Sequence, residues 1–328
     1  MSVARKPAAA LEPSPDRVAA ATVQIGPRMR TALSYLAAGA IIWFVARKIP
    51  LGAIAAAFAH ARIGLFVATA TLAFAGWFLG ETLLFSRLFS YFHGRTTFRE
   101  TLKANAAQYF LQIVNVAVAS GALIVFLNKR KAVPWLAGAC TLLFQALIDF
   151  QVMIAMALAG LMIAPEFPWP HAACYLLATL GAIWLIAWFW MRGRAPAWGP
   201  LRRLYERPAM RAFREARLSQ FIALSLIRAA IFAFQGVALY FEMVAFRLHV
   251  PFMLTFALTP VILLVTSLPL TPVGLGSEQA AMVLCFKGFA PAADLLTVSL
   301  AASASNLLFR MALGLCFPQT IMNFEQNA

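Results

Sequence analysis

Six long, predominantly apolar stretches dominate this chain, at roughly 31–47, 63–85, 135–162, 172–191, 219–246 and 294–318. A run of about 20 apolar residues crosses a hydrocarbon core of about 30 Å as one α-helix. Lipid supplies no hydrogen-bond partner, so backbone inside it must be helical or closed into a barrel. Barrel strands alternate in polarity over about ten residues, a pattern absent from these runs. The sequence therefore predicts an all-α integral membrane protein. Composition agrees: of 328 residues, 62% are hydrophobic and only 12% are charged, too few charges for a soluble domain of this length.

The net charge is +15, from 27 Lys and Arg against 12 Asp and Glu. In a soluble protein this excess points to nucleic acid. Here the bases lie mainly in short loops between apolar runs, the distribution expected from membrane orientation and contact with anionic headgroups. Nucleic acid is therefore set aside as a partner. Cys140, Cys174, Cys285 and Cys316 all sit in apolar runs without a CxxC pair, where cysteine acts as a small hydrophobe. His60, His93, His171 and His249 are isolated, so neither a metal nor another cofactor is expected. Residues 1–28 are Ala- and Pro-rich and lack the apolar core of a signal peptide. They read as a disordered cytoplasmic tail. Residues 29–320 read as one polytopic membrane domain and 321–328 as a short C-terminal tail.

The loop 192–218 carries Arg192, Arg194, Arg202, Arg203, Arg207, Arg211, Arg214 and Arg217, which fixes it in the cytoplasm. Within it, Pro208–Leu218 reads as a short interfacial helix that turns Arg207, Arg211 and Arg214 toward anionic lipid. Counting crossings outward places Lys129, Arg130 and Lys131 inside. Counting from a cytoplasmic N-terminus places Arg87, Arg95, Arg99 and Lys103 inside as well. Both flanks of 104–127 thus belong on one side, and that segment should not cross. Its Asn105, Gln108, Gln112, Asn115, Ser120 and Gly121 fit a re-entrant hairpin packed against protein.

A second hairpin is expected over 252–290, entered from outside. Its middle, Pro269-Leu270-Thr271-Pro272-Val273-Gly274-Leu275-Gly276, breaks a helix. About six transmembrane helices plus two hairpins of opposite sidedness form the pattern of an inverted repeat, whose interface in transporters holds substrate near the midplane.

Charges inside membrane segments cost several kcal/mol unless paired or hydrated. Asp149, Arg228, Glu278 and Arg310 are deep, and two acids against two bases permit neutral pairing. Glu242 is placed near the external end of its segment. Glu81 and Lys287 are placed near segment ends and expected to snorkel. Arginine suits a lipid phosphate through its planar fork. Gly274 and Gly276 allow a tight tip with exposed amides ahead of a helix starting at Ser277, which suits an anion. The candidate substrate-binding residues are Arg228, Arg310, Glu278, Gln279, Gly274, Gly276, Asn115, Gln112 and Asp149. No catalytic constellation is recognisable, so no enzyme is expected.

The run Ser267-Leu-Pro-Leu-Thr-Pro-Val-Gly-Leu-Gly-Ser-Glu-Gln-Ala-Ala281, followed by Asn306-Leu-Leu-Phe-Arg310, resembles the flippase-like transmembrane domain of lysylphosphatidylglycerol synthases and their stand-alone relatives. That family typically shows a proline, a Gly-Gly-Leu-Gly-x-Arg-Glu-Ala-like stretch and a late arginine. The likeness covers roughly 60–318, with 267–281 its specific part. Val273 replaces the first glycine. Glu278 stands where the family often has Arg, and Gln279 where it often has Glu, so an essential carboxylate at 279 is not carried over.

The resemblance implies movement of an anionic phospholipid or other lipid between leaflets, in a bacterial cytoplasmic (inner) membrane. The aminoacyl-transferring members add a soluble synthase domain. This chain ends at Ala328, soon after the last apolar run, and is expected to be a transport module without that domain. Two other readings compete: a non-catalytic membrane partner of a lipid-biosynthesis enzyme, and a membrane-embedded lipid-modifying enzyme. Single cysteines at 129–131 should be labelled by impermeant thiol reagents only from the cytoplasmic side. External labelling would overturn the re-entrant assignment of 104–127.

Overall fold

A computed structural model describes residues 59–113, 116–163, 171–193, 202, 205–267 and 277–316. The expected tails 1–28 and 321–328, the segment 31–47, Asn115, and the tip with Gly274 and Gly276 lie outside the described residues. Regular structure among the described residues is entirely helical. Ten α-helices are described: α1 (Ile63–Phe92), α2 (Phe98–Gln112), α3 (Val116–Lys131), α4 (Trp135–Ile163), α5 (His171–Gly193), α6 (Arg211–Glu215), α7 (Leu218–Ala245), α8 (Phe252–Ser267), α9 (Ser277–Phe286) and α10 (Ala292–Cys316). Among the described residues, helices α1, α4, α7 and α10 contain the four stretches long and apolar enough to cross a bilayer. Their outward faces carry Leu72, Leu79, Leu143, Leu226 and Leu308, each strongly exposed. Apolar surface of this extent suits lipid rather than water.

The segment expected to re-enter folds as a helical hairpin. Helices α2 and α3, of 15 and 16 residues, rise only about 22–24 Å each, short of a full crossing. Lys131 Nζ donates to the Arg95 carbonyl, so the hairpin opens and closes at one end. Thr97 starts α2 through a capping box: its hydroxyl accepts from the Glu100 amide at 3.4 Å, and its own amide donates to Glu100 Oε2 at 3.0 Å. Such a cap satisfies amide donors the helix cannot. The second hairpin pairs α8 with the ten-residue α9. Leu248 and Val250 before it share a buried cluster with Phe286 at its end and Leu295 after it, so it too returns to its starting end.

The two hairpins enter from opposite ends. At the basic end, the C-terminus of α1 meets the N-terminus of α4, where His93 Nε2 lies 2.7 Å from Thr141 Oγ1. The Thr141 hydroxyl donates to Ala137 O at 2.9 Å, so its oxygen receives the Nε2 proton. Burial, and after it the Arg211 charge, holds His93 below its ordinary pKa. At the other end, the Arg62 amide donates to Ala245 O at 2.8 Å, joining the start of α1 to the end of α7.

The packing has the exchange expected of an inverted repeat. Helix α1 lies antiparallel along α7, while α8 packs on α4 and α2 packs on α10. Each hairpin's first arm therefore rests on the last helix of the opposite half. Near the end of that last helix stands a glycine in both halves. A Cβ at Gly160 would fall 2.3 Å from Ala257 O, and one at Gly314 would fall 2.1 Å from the Phe110 ring.

The expected interfacial helix is shorter than predicted. Pro208–Met210 forms one 3-10 turn, and α6 ends at Glu215. Arg211 Nε and Arg214 Nη2 both donate to Glu215, at 2.7 and 3.3 Å. Local ion pairing thus occupies two of the arginines assigned to lipid. Ala212 and Phe213 turn inward, Phe213 meeting the rings of Phe144 and Trp184.

Gly160→Ala should destabilise the fold by about 1–3 kcal/mol, the usual cost of overpacking, because a backbone carbonyl must move. Gly314→Ala should cost less, since a phenyl ring can turn. Gly121→Ala, whose Cβ meets nothing within 4 Å, serves as control. Unfolding midpoints in detergent give the order.

Candidate functional site

Helix α1 carries Gly76 and Gly80 on the face turned to α7. Cβ atoms there would come 2.3 Å from Phe234 and 2.6 Å from Ile231. Small residues four apart let two membrane helices approach closely. The next residue, Glu81, then lies opposite Arg228, one turn before Ile231 on α7.

Arg228 is 1% exposed. Its Nε donates to Asp149 Oδ1 at 2.6 Å and its Nη1 to Glu81 Oε1 at 3.3 Å. At 1.5 Å per residue, the three groups lie about 15–21 Å from the basic ends of their helices, close to the middle of a bilayer. Gln145 donates to the other Asp149 oxygen, and the Arg228 guanidinium lies 5.4 Å from the Phe232 ring centre. A charge here is tolerable only when paired and hydrogen-bonded.

The expected snorkelling of Glu81 is therefore corrected. Helix α1 runs on to Phe92 rather than ending near 85, which places Glu81 in mid-helix and in an ion pair. Lys287 is exposed just beyond α9. The neutral set of two acids and two bases is also corrected. Glu81 is a further acid, paired with Arg228, and Glu242, at 3% exposure, is a buried acid outside that set.

From Glu81 the polar chain continues to the first hairpin. Tyr109 donates to Glu81 Oε2 at 2.7 Å. On the same helix, Asn105 Nδ2 donates to Thr82 Oγ1 at 3.0 Å and Phe78 O at 3.3 Å. The guanidinium of Arg310 lies 5.2 Å from the Tyr109 ring centre. Arg310 donates through Nη1 to Gln112 and through Nε to Asn306 Oδ1, the latter at 2.6 Å.

Near the second tip, Ser303 donates to Glu278 Oε2 at 3.0 Å, and Gln279 Nε2 donates to Ser303 at 3.2 Å. Glu278 and Glu81 both act electrostatically on Arg310. Arg310 thus stands between the two hairpins, held by the first and facing the carboxylate of the second. No carboxylate lies within 4 Å of it among the described residues, whereas Arg228 is flanked by two.

The structure therefore brings together Arg228, Asp149, Gln112, Arg310, Glu278 and Gln279 from the predicted set. It adds Glu81, Tyr109, Gln145, Ser303 and Asn306. Ser303, Asn306 and Arg310 share one face of α10 by their spacing of three and four, and Asn306 is exposed.

Removing the charge of Arg228 strands two carboxylates in a low-dielectric interior. Arg228→Met should cost about 3–5 kcal/mol, the cost of breaking a buried pair. Adding Asp149→Asn and Glu81→Gln should restore part of it, since no unpaired charge then remains. The unfolding midpoint of the triple variant should exceed that of the single one.

Comparison with curated proteins gives no match. The sequence model described as the lysylphosphatidylglycerol synthase TM region matches residues 31–314 of the 328. With that extent, on a helical frame carrying four bilayer-length apolar helices among the described residues, the chain belongs to the lysylphosphatidylglycerol synthase transmembrane-region family.

Proposed function

We propose that this protein moves an anionic lipid between the leaflets of a bacterial cytoplasmic membrane, acting as a transporter rather than an enzyme. In this reading the N-terminus and the arginine-rich end face the cytoplasm, as the positive charges there favour. The family supports a role in lipid metabolism or transport.

One observation carries the finer reading: Arg310 is a deep cation held by neutral amides, Gln112 and Asn306, instead of by a carboxylate. Amide acceptors orient a guanidinium without cancelling its charge, so a phosphate arriving there meets an available planar donor set. Ser303 and Asn306 continue that polar face along α10, giving a headgroup successive hydrogen-bonding stations. The acyl chains would stay in lipid beside the exposed Leu308 and Met311. Arg228, saturated by two carboxylates, is a structural fastener in this scheme.

The test uses the full chain in proteoliposomes containing fluorescent phosphatidylglycerol, with a membrane-impermeant quencher reporting leaflet sidedness. Wild type should speed exchange between leaflets. Arg310→Ala should slow it about tenfold to a hundredfold, the equivalent of a lost charged hydrogen bond of about 1.5–3 kcal/mol. Equal exchange with and without the protein, across anionic and isoprenoid lipids, would defeat the transport reading.

A further inference from the structure

Glu242 is the buried charge that the polar chain leaves out. It sits on α7 at 3% exposure, and neither a hydrogen bond nor a cation acts on its carboxylate among the described residues; its electrostatic neighbour is the Glu278 carboxylate. Beside it on α7, Leu239 and Met243 pack into an apolar cluster with Met282, Phe286, Leu295 and Val298.

The other ionisable groups on the surrounding helices are few. Helix α8 brings none. On α1, Glu81 is tied to Arg228, and Arg62 precedes the helix; on α4, Asp149 is tied to Arg228. From α9 come Glu278 and the buried thiol of Cys285, with Lys287 exposed beyond the helix. From α10, Asp294 lies in the first turn, and Arg310 acts on Glu278. With all of them ionised, the four acids Glu81, Asp149, Glu242 and Glu278 outnumber the two bases Arg228 and Arg310. The set then carries a surplus of two negative charges in a low-dielectric interior, and Glu242 and Glu278 are its acids without an ion pair among the described residues. Like charges there cannot both persist, and a carboxylate pair answers by taking up a proton. A hard metal cation needs about six or more oxygen ligands, more than two carboxylates and the Ser303 hydroxyl provide.

We propose that Glu242 and Glu278 form a proton-binding site, which holds its proton more tightly when an anionic headgroup occupies Arg310 than when the headgroup has left. The proton comes from water at one face and bonds to a carboxylate oxygen. A phosphate on Arg310 withdraws the positive charge that supports ionised Glu278, so binding of the anion and of the proton favour each other. One anion and one proton then cross together, with no net charge moved. The proton site stands apart from the transport reading; its coupling to lipid rests on that reading.

Infrared difference spectroscopy of the full chain in lipid tests the site directly. Wild type at neutral pH should show the carbonyl band of a protonated carboxyl, fading as pH rises. Glu242→Gln, checked for an unchanged unfolding midpoint, should delete the band or displace it, and Glu278→Gln should shift it. A wild type without such a band, or a band indifferent to both substitutions, overturns the proposal. A band that sodium removes and potassium does not would assign the site to a metal cation and overturn it equally.

The coupling is read in the proteoliposome assay under imposed pH gradients. Phosphatidylglycerol should move faster toward the alkaline side, and Glu242→Gln should abolish that directionality. Movement indifferent to the gradient overturns coupling alone. Absence of all lipid movement defeats the transport reading and leaves the infrared band to decide the proton site.

Discussion

A guanidinium held at mid-membrane between two carboxylates is the constraint on which the rest of this structure depends. Arg228 is tolerable there only if Asp149 and Glu81 reach it from two other long helices. That requirement fixes the rotation of α1, α4 and α7 about their axes and sets how closely α1 must approach α7. Gly76 and Gly80 make the approach sterically feasible. The same rotation turns Tyr109 of the first hairpin onto Glu81, so the fastener also positions that hairpin. Packing and electrostatics are one specification here, written on four helices.

Much of the frame was legible in the sequence because lipid imposes strict rules. Apolar runs marked the long helices, and arginine-rich loops marked one end of the bundle. The conflict of charges around 104–127 revealed a hairpin, and the pairing of α2 with α3 follows it closely. Helix limits were less legible. The apolar signal of α1 fades near 85, yet the helix continues to Phe92 because Leu88, Phe89 and Phe92 are buried against protein rather than lipid. That extension made Glu81 look like an end residue. Two glycines four apart in α1 could have signalled the close contact with α7, and with it a buried role for Glu81. Thr97 and Glu100 could likewise have marked the start of α2. The exact acceptor of each arginine had no such signal, because it depends on how helices distant in sequence are turned.

The structure also separates two arginines that look alike in sequence. Both are deep and flanked by apolar residues, so composition treats them equally. Their surroundings differ in kind: Arg228 meets ionised acceptors that cancel its charge, while Arg310 meets amides that orient it. In a low-dielectric interior this difference decides what else can bind. A neutralised cation gains little from an arriving anion, whereas an oriented and uncancelled one gains a full charged hydrogen bond.

The inverted packing gives that distinction a place in the fold. Arg310 belongs to the last helix of the second half, and its amide partner Gln112 belongs to the first hairpin, which rests on that helix. Glu278 of the second hairpin acts on the same arginine electrostatically, beyond ion-pair distance. A shift of either hairpin relative to α10 therefore changes what surrounds Arg310, while the Arg228 triad on α1, α4 and α7 can stay closed. The ion-paired frame is thus separate from the cation that α10 carries against the first hairpin. The carboxylates on the second side, Glu242 and Glu278, lie where such movement would alter their charge balance, because the only cation acting on either of them among the described residues is Arg310.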